Sequence, residues 1–211
     1  MPVIGGSTLH STVVRAALLG LGGGVLVGGG GWAADHGPPL VQWTSAIAAG
    51  WVLIAFLAGA LAGDRAAAVA AGALTIVTGT AVYYVLFHFV SYTVTLKYGV
   101  VVGVAWATVG TAIGAVLGWA GHAWRRGRPI GPAIVAGALA GEAMLLLTEW
   151  ENRTARAVLL CELVLGATIP FALARKQLAT AVVLTAVVSL AVVGIESEVR
   201  DAMRAAGWRG A

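Results

Sequence analysis

Long apolar runs alternate with short polar breaks along the whole chain. Seven runs stand out, at roughly residues 13–34, 43–63, 66–90, 99–122, 131–149, 155–174 and 177–195. Each is close to the ~20 apolar residues with which a helix crosses the hydrocarbon core of a bilayer. The breaks consist of residues that end helices or seek water: Asp35-His36-Gly37-Pro38-Pro39, Asp64-Arg65, Lys97, Arg125-Arg126-Gly127-Arg128-Pro129, Glu151-Asn152-Arg153 and Arg175-Lys176. The pattern predicts an all-α integral membrane bundle of seven transmembrane helices, with residues 1–211 as a single domain and no stretch left for a soluble one.

Seven spans place alternate loops on opposite sides, so the distribution of charge tests the count. Arg15, Arg65, Arg125, Arg126, Arg128, Arg175 and Lys176 fall on the N-terminal side, with Asp64 the one acid among them. Asp35, Glu149, Glu151, Glu196, Glu198 and Asp201 fall on the other side, mixed with Lys97, Arg153, Arg156 and three C-terminal arginines. Six spans would mix the groups. The positive-inside rule then predicts a cytoplasmic N-terminus and an extracytoplasmic C-terminus. The first run is long enough to span and no A-x-A-like site follows it, so a span rather than a cleavable signal is expected there.

Composition agrees. The chain is 59% hydrophobic and 10% charged, with a mean hydropathy of +0.90; a soluble domain has roughly a quarter of its residues charged. The lipid bilayer is therefore its solvent. An Ala, Gly, Val and Arg bias suggests a GC-rich bacterial genome, and the expected location is the bacterial inner (plasma) membrane, multi-pass. The basic balance (pI ≈ 9.7) does not imply nucleic acid, because the basic residues are scattered between apolar runs and form no stripe. Cys161 stands alone in an apolar run, so there is neither a disulfide framework nor zinc spacing, and a small packed hydrophobe is expected. Gly20, Gly24 and Gly28, Gly59 and Gly63, Gly110, Gly114 and Gly118, and Gly137 and Gly141 recur at four-residue spacing. Such faces let helices approach closely in lipid. The stretch GLGGGVLVGGGG lacks the Lys-Ser/Thr pair of a phosphate loop, so helix packing is its reading too.

The chemistry centres on GEAMLLLTEWE, residues 141–151. An ionisable residue inside the membrane costs several kcal/mol unless paired or protonated. Glu142 lies about seven residues, or roughly 10 Å, below the end of the fifth span. Glu162 lies about as far into the sixth, so the hairpin brings the two carboxyls to similar depth. Two such groups in low dielectric do not both ionise easily, so the pair is expected to hold a proton at neutral pH. A helix-locking hydrogen bond is the bland alternative. Glu149, two turns above Glu142 on the same face, is a candidate relay to the outside.

Aromatic residues gather in the same half of the membrane. Tyr84, Phe87 and His88 close the third span, Trp51 and Trp106 lie about two turns inside theirs, and Trp32 stands at the rim beside Asp35 and His36. Trp43, Tyr92, Tyr98, Trp119 and Trp124 fit an ordinary interfacial belt. The deeper rings either face lipid or line a chamber with the carboxyls. His88 with two carboxyls would suit a transition metal, yet no HExxH or ExxH pair exists, and neither metal nor other cofactor is expected. There is no lysine in the last span for a retinal Schiff base, no DDxxD cluster for a diphosphate, and no GxSxG elbow. Asn152-Arg153-Thr154 matches a glycosylation sequon, which carries no weight in a bacterial chain.

The segments AFLAGALAGDRAAAVAAGALTIVTGTAVYY and GALAGEAMLL, in a seven-span chain of this size, resemble an actinobacterial integral-membrane family. The layout is also similar to the membrane-integrated terpene cyclases of indole-terpenoid and drimentine-type biosynthesis. That resemblance implies an enzyme in which a carboxylic acid protonates an alkene or epoxide of a lipophilic prenylated small molecule, and aromatic faces stabilise the carbocation. On this reading Glu142 or Glu162 is the general acid and the other its proton-sharing partner, with Glu149 a relay. Asp35 and His36 close the mouth or act as final base, and Trp32, Trp51, Tyr84, Phe87, His88 and Trp106 form the substrate-binding walls. The alternative is a small transporter or substrate-binding membrane subunit whose Glu pair binds a proton or a cation. The pattern fixes no oligomeric state.

Overall fold

Residues 6–91 and 95–205, with side chains from residue 11 on, are described by the computed structural model of the protein. They form eight α-helices, α1 (Gly6–Asp35), α2 (Pro39–Ser45), α3 (Ala49–Leu61), α4 (Arg65–Phe89), α5 (Leu96–Arg125), α6 (Ile130–Glu149), α7 (Arg153–Leu173) and α8 (Leu178–Ala205), plus a 3-10 turn at Arg175–Gln177. No strand occurs among the described residues. Six helices, α1 and α4 to α8, are long and apolar enough to cross a membrane; α2 and α3 pass the same test only together, bent by 51° at their junction. The chain is an all-α, multi-pass membrane protein. Tyr92 and Arg209 lie outside the described residues, and His10 outside the described side chains.

The polar breaks fall where the helices end. Asp64 caps α4 by accepting the Ala67 N–H at 2.8 Å, and Thr95 caps α5 by accepting the Tyr98 N–H at 3.2 Å. The sequon asparagine, Asn152, is the cap of α7, accepting from Thr154 and Ala155 at 2.8 and 3.2 Å. Each satisfies amides that have no partner inside the helix. Gly63 and Gly127 turn the chain with φ of +104° and +71°, so Gly63 serves the α3–α4 turn rather than a packing face.

Two runs depart from expectation. The 43–63 run is not one helix: it starts as α2 at Pro39, breaks over residues 46–48 and restarts as α3. The Thr44 and Ser45 hydroxyls bond back to the Val41 and Gln42 carbonyls, each at 2.6 Å, closing the last turn of α2. The 177–195 run does not end at 195 either, because α8 continues to Ala205 and carries Arg200 and Arg204 on helix. Pairs at helical spacing, Glu196 with Arg200 and Asp201 with Arg204, support that extension.

Close backbone contact through small residues assembles the bundle. Gly20, Gly24 and Gly28 of α1 lie against Ala71, Thr78 and Gly79 of α4, while Gly114 and Gly118 of α5 lie against Gly72 and Ala68 of α4. Gly118 also meets Gly59 of α3, Gly137 and Gly141 of α6 meet α8 at Val188 and Val192, and Gly166 of α7 meets Ala136 and Ala140 of α6. In lipid, where burying apolar surface gives helices little reason to associate, such contacts supply packing that larger side chains would prevent. α3 sits at the seam: its Val52 and Phe56 join Ile76, Leu117, Val135, Leu139 and Ile169 in the central core. Cys161 is exposed on α7 rather than packed, because it points away from that core.

A Cβ added at Gly118 would stand 2.1 Å from the Ala68 carbonyl oxygen, whereas one at Gly22 would meet nothing within 4 Å. Gly118→Ala is therefore expected to destabilise the protein by roughly 1–3 kcal/mol. Gly22→Ala should be neutral or stabilising by up to about 1 kcal/mol through helix propensity. Thermal unfolding in detergent micelles measures both.

Candidate functional site

The break between α2 and α3 creates the site. The first amides of a helix lack intrahelical partners, and Ala48, at the cap position of α3, has no side chain with which to accept from them. Glu142, from the far side of the seam, takes that place: its Oε2 accepts the Ala48 N–H at 2.8 Å. Glu142 comes from α6, the most enclosed of the six long helices, and is 4% exposed. A carboxylate at a helix N-terminus is favoured by the helix dipole as well as by the hydrogen bond.

Glu162 of α7 completes the pair, 2% exposed. Its polar neighbours are the Glu142 carboxyl and the Ala49 N–H. Neither of its oxygens makes a well-formed hydrogen bond among the described residues. The matched depth expected from the hairpin is thus what the fold delivers, since Gly166, one turn away on α7, packs beside Ala140 of α6.

A third helix brings a cation. Arg200 of α8, 8% exposed, places a guanidinium nitrogen 3.6 Å from Glu142 Oε1 and 2.6 Å from Glu196 Oε1; its Nε donates to the same Glu196 oxygen at 2.8 Å. Glu149 stands apart, paired with Arg204 at 3.3 Å. Between Glu149 and the pair lies an apolar cluster of Ile47, Leu146, Val158 and Leu159, over which Trp43 and Trp150 pack with ring centroids 5.1 Å apart. Trp43 is therefore part of a packed plug as well as a rim residue.

Asp35, His36, Trp32, Trp51 and Phe87 assemble elsewhere, around α1, α3 and α4. Tyr83 donates its hydroxyl to Asp35 Oδ2 at 2.6 Å, the Ser45 hydroxyl shares its one proton between Oδ1 and the Gln42 carbonyl, and the Gln42 amide donates to the Asp35 carbonyl at 3.2 Å. Asp35 thereby ties the end of α1 to α2 and α4. His36 closes a second loop of hydrogen bonds. Its Nδ1 faces the Trp32 carbonyl at 2.8 Å, which can only accept, so Nδ1 carries the proton. Nε2 then accepts from Ser91 at 2.9 Å, and the Ser91 oxygen accepts the Trp32 indole N–H at 2.8 Å. Tyr83 is the hub of the rings, with Phe87 at 4.7 Å and Trp51 at 6.4 Å.

Tyr84 and His88 turn to a third place. They line an apolar groove of about 250 Å³ between α4 and α5, with Phe89, Leu96, Val100 and Val104. Trp106, half-buried on α5, is not among the groove's lining residues. The expected chamber of carboxyls and aromatic walls is thus divided among three helix interfaces: Glu142 with Glu162 at α3–α6–α7, Asp35 with Tyr83 at α1–α2–α4, and Tyr84 with His88 at α4–α5. No group of three or more His, Cys, Asp or Glu among the described residues is arranged to hold a metal ion.

Three sets of participants escaped the sequence reading. Arg200 and Glu196 lie beyond the last apolar run, and their i,i+4 spacing was the available signal. Tyr83 adjoins Tyr84 in sequence, and only the face of α4 distinguishes them. The amides of Ala48 and Ala49 had no signal beyond the polar Gln42, Thr44 and Ser45 in an apolar span.

No curated protein and no solved structure matches the chain significantly. One family model matches residues 7–201, nearly the whole chain, and by that match the protein belongs to the family of unknown function DUF6518.

Proposed function

We propose that the protein is a proton-coupled solute carrier or solute-binding subunit of a bacterial plasma membrane, and that the Glu142–Glu162 pair is its proton-binding site. The α2–α3 pair then counts as one broken span, giving seven. The N-terminus is cytoplasmic and the C-terminus outside, as the basic residues at the Arg65, Arg125–Arg128 and Arg175–Lys176 ends favour. The observation that carries the reading is the buried carboxyl pair at a helix break, one member having neither oxygen in a well-formed hydrogen bond among the described residues. Against Glu142, Glu162 and Glu196 stand one guanidinium and a helix N-terminus worth about half a charge. More than one negative charge is left uncompensated in a site where an unpaired charge costs several kcal/mol. A proton shared by the pair removes most of that cost. Helices broken near the midplane are a recurring element of ion and substrate sites in secondary transporters.

A second reading, proton-initiated cyclisation of a prenylated substrate, draws on the apolar α4–α5 groove with Tyr84 at its wall. It needs acid and groove in one cavity, and they occupy different interfaces, so the carrier reading stands first.

Proteoliposomes holding an internal pH-sensitive dye, with neutral and cationic solutes added outside, separate the two. The carrier predicts solute-dependent internal acidification that Glu162→Gln abolishes. No acidification with any solute, together with a cyclised, singly deuterated product from a farnesylated indole in deuterated water, would replace it by the cyclase.

The pair also has a structural signature. Glu142→Ala removes the acceptor for the buried Ala48 N–H, while Arg200 keeps Glu196, and is expected to cost roughly 1–3 kcal/mol. Glu142→Gln keeps an oxygen for the Ala48 N–H and should cost less than half of that. Thermal unfolding in detergent gives the comparison.

A further inference from the structure

A proton held at the pair must reach water, and the short route along α6 is closed. Glu149 is roughly 10 Å up the same helix from Glu142, with fully buried Leu146 and Leu159 and the half-covered Trp43–Trp150 contact between them. Its carboxylate is held by Arg204. The other direction is polar. Glu196 of α8 shares a guanidinium nitrogen of Arg200 with Glu142, and its side chain, 20% exposed, is more open than either member of the buried pair. Arg200 touches Glu196 and Glu142 with one guanidinium. The remaining groups facing the pair are the amides of Ala48 and Ala49 from α3.

We propose that Glu196 is the proton port of the buried pair and that Arg200 is its gate. This rests on the proton-binding reading of Glu142 and Glu162. The transfer balances without a co-reactant: the O–H of the protonated pair passes its proton to the Glu196 carboxylate, and Glu196 releases it to water. Arg200 keeps its own proton throughout. While the pair holds its shared proton, the guanidinium stays on Glu196, as in the observed arrangement with its shorter contacts to that residue. When Glu196 becomes neutral and Glu142 charged, the same guanidinium closes the remaining distance to Glu142. The position of the gate and the charge at the port therefore change together, and a second proton is not drawn in while Arg200 balances Glu142.

Infrared spectroscopy of the reconstituted protein tests this without a known solute. The carboxylic acid C=O band of the wild type at neutral pH, assigned by its loss in Glu142→Gln and Glu162→Gln, shifts when water is exchanged for deuterated water, and the time course of the shift is read. Glu196→Gln is expected to keep the band and slow its exchange by about tenfold or more, while Glu149→Gln leaves the rate within about twofold. Glu196→Asp, which restores a carboxylate on the same helix face, should recover most of the rate. Arg200→Gln should enlarge the band, since the site then needs a further proton. Wild-type exchange in Glu196→Gln, equal slowing in Glu196→Asp, or slowing in Glu149→Gln instead would each overturn the port. The absence of any such band in the wild type would instead overturn the proton-binding reading beneath it.

Discussion

An amide without a helical partner, deep in an apolar bundle, is the constraint on which the rest of this structure depends. In a membrane each unsatisfied backbone group costs several kcal/mol, because no water is at hand to take its place. The break at residues 46–48 exposes such groups at the start of α3, and no side chain of its own caps them. Glu142 must therefore stand where it does, and α6 must run through the middle of the molecule to carry it. The faces of α6 follow from that position. Gly137 and Gly141 admit α8, and Ala136 with Ala140 admit Gly166 of α7, which is how Glu162 and Arg200 come within reach of one carboxyl.

The same break couples two polar regions that otherwise have little in common. Ser45, the last residue of α2, is held by Asp35, and Ala48, three residues later, is held by Glu142. Asp35 is in turn fixed by Tyr83, and the His36–Ser91–Trp32 ring of hydrogen bonds pins the end of α1 beside it. A change in charge at Glu142 alters the hydrogen bond that ends on the bend, and the bend is clamped three residues away by a second carboxylate. The sequence-adjacent pair Asp35 and His36 thus acts as a fixed anchor in this arrangement, with every polar atom of the His36 ring satisfied in its neutral form.

The fold was legible in the sequence wherever one physical property dominated a long stretch. Four apolar runs, 66–90, 99–122, 131–149 and 155–174, matched helices at both ends to within three residues, and small residues at four-residue spacing marked the faces that pack. The matched depth of Glu142 and Glu162 was legible because a hairpin imposes it. The broken span was not, since Ala46-Ile47-Ala48-Ala49 contains neither glycine nor proline, and what stabilises the break is a carboxylate 94 residues away. Arg200 was missed for the converse reason. A hydropathy run ends at the first charges, yet Glu196 and Arg200 keep the helix going and turn one face of it inward. The aromatic chamber failed because depth along a helix says nothing of which face a ring occupies: Tyr83 and Tyr84 are neighbours in sequence and belong to different interfaces.

A guanidinium beside a carboxylate ordinarily favours its charge, so the presence of Arg200 taken alone argues for an ionised pair. Its geometry argues otherwise. Two of its nitrogens converge on one oxygen of Glu196 at 2.6 and 2.8 Å, and the contact with Glu142 is a longer 3.6 Å. A cation committed to the more exposed carboxylate compensates that group first and leaves Glu142 to the helix N-terminus, whose partial charge is about half a unit. Glu162 has the nearby Ala49 N–H and no cation paired with it among the described residues, and both its oxygens lie buried without a well-formed hydrogen bond there. Ionising Glu162 there would set it against Glu142 and Glu196 together, in a medium that screens charge far less than water does. On the proton-binding reading, the arrangement suits a proton on the pair, and it is the departure of that proton, not its arrival, that would call on Arg200 to move.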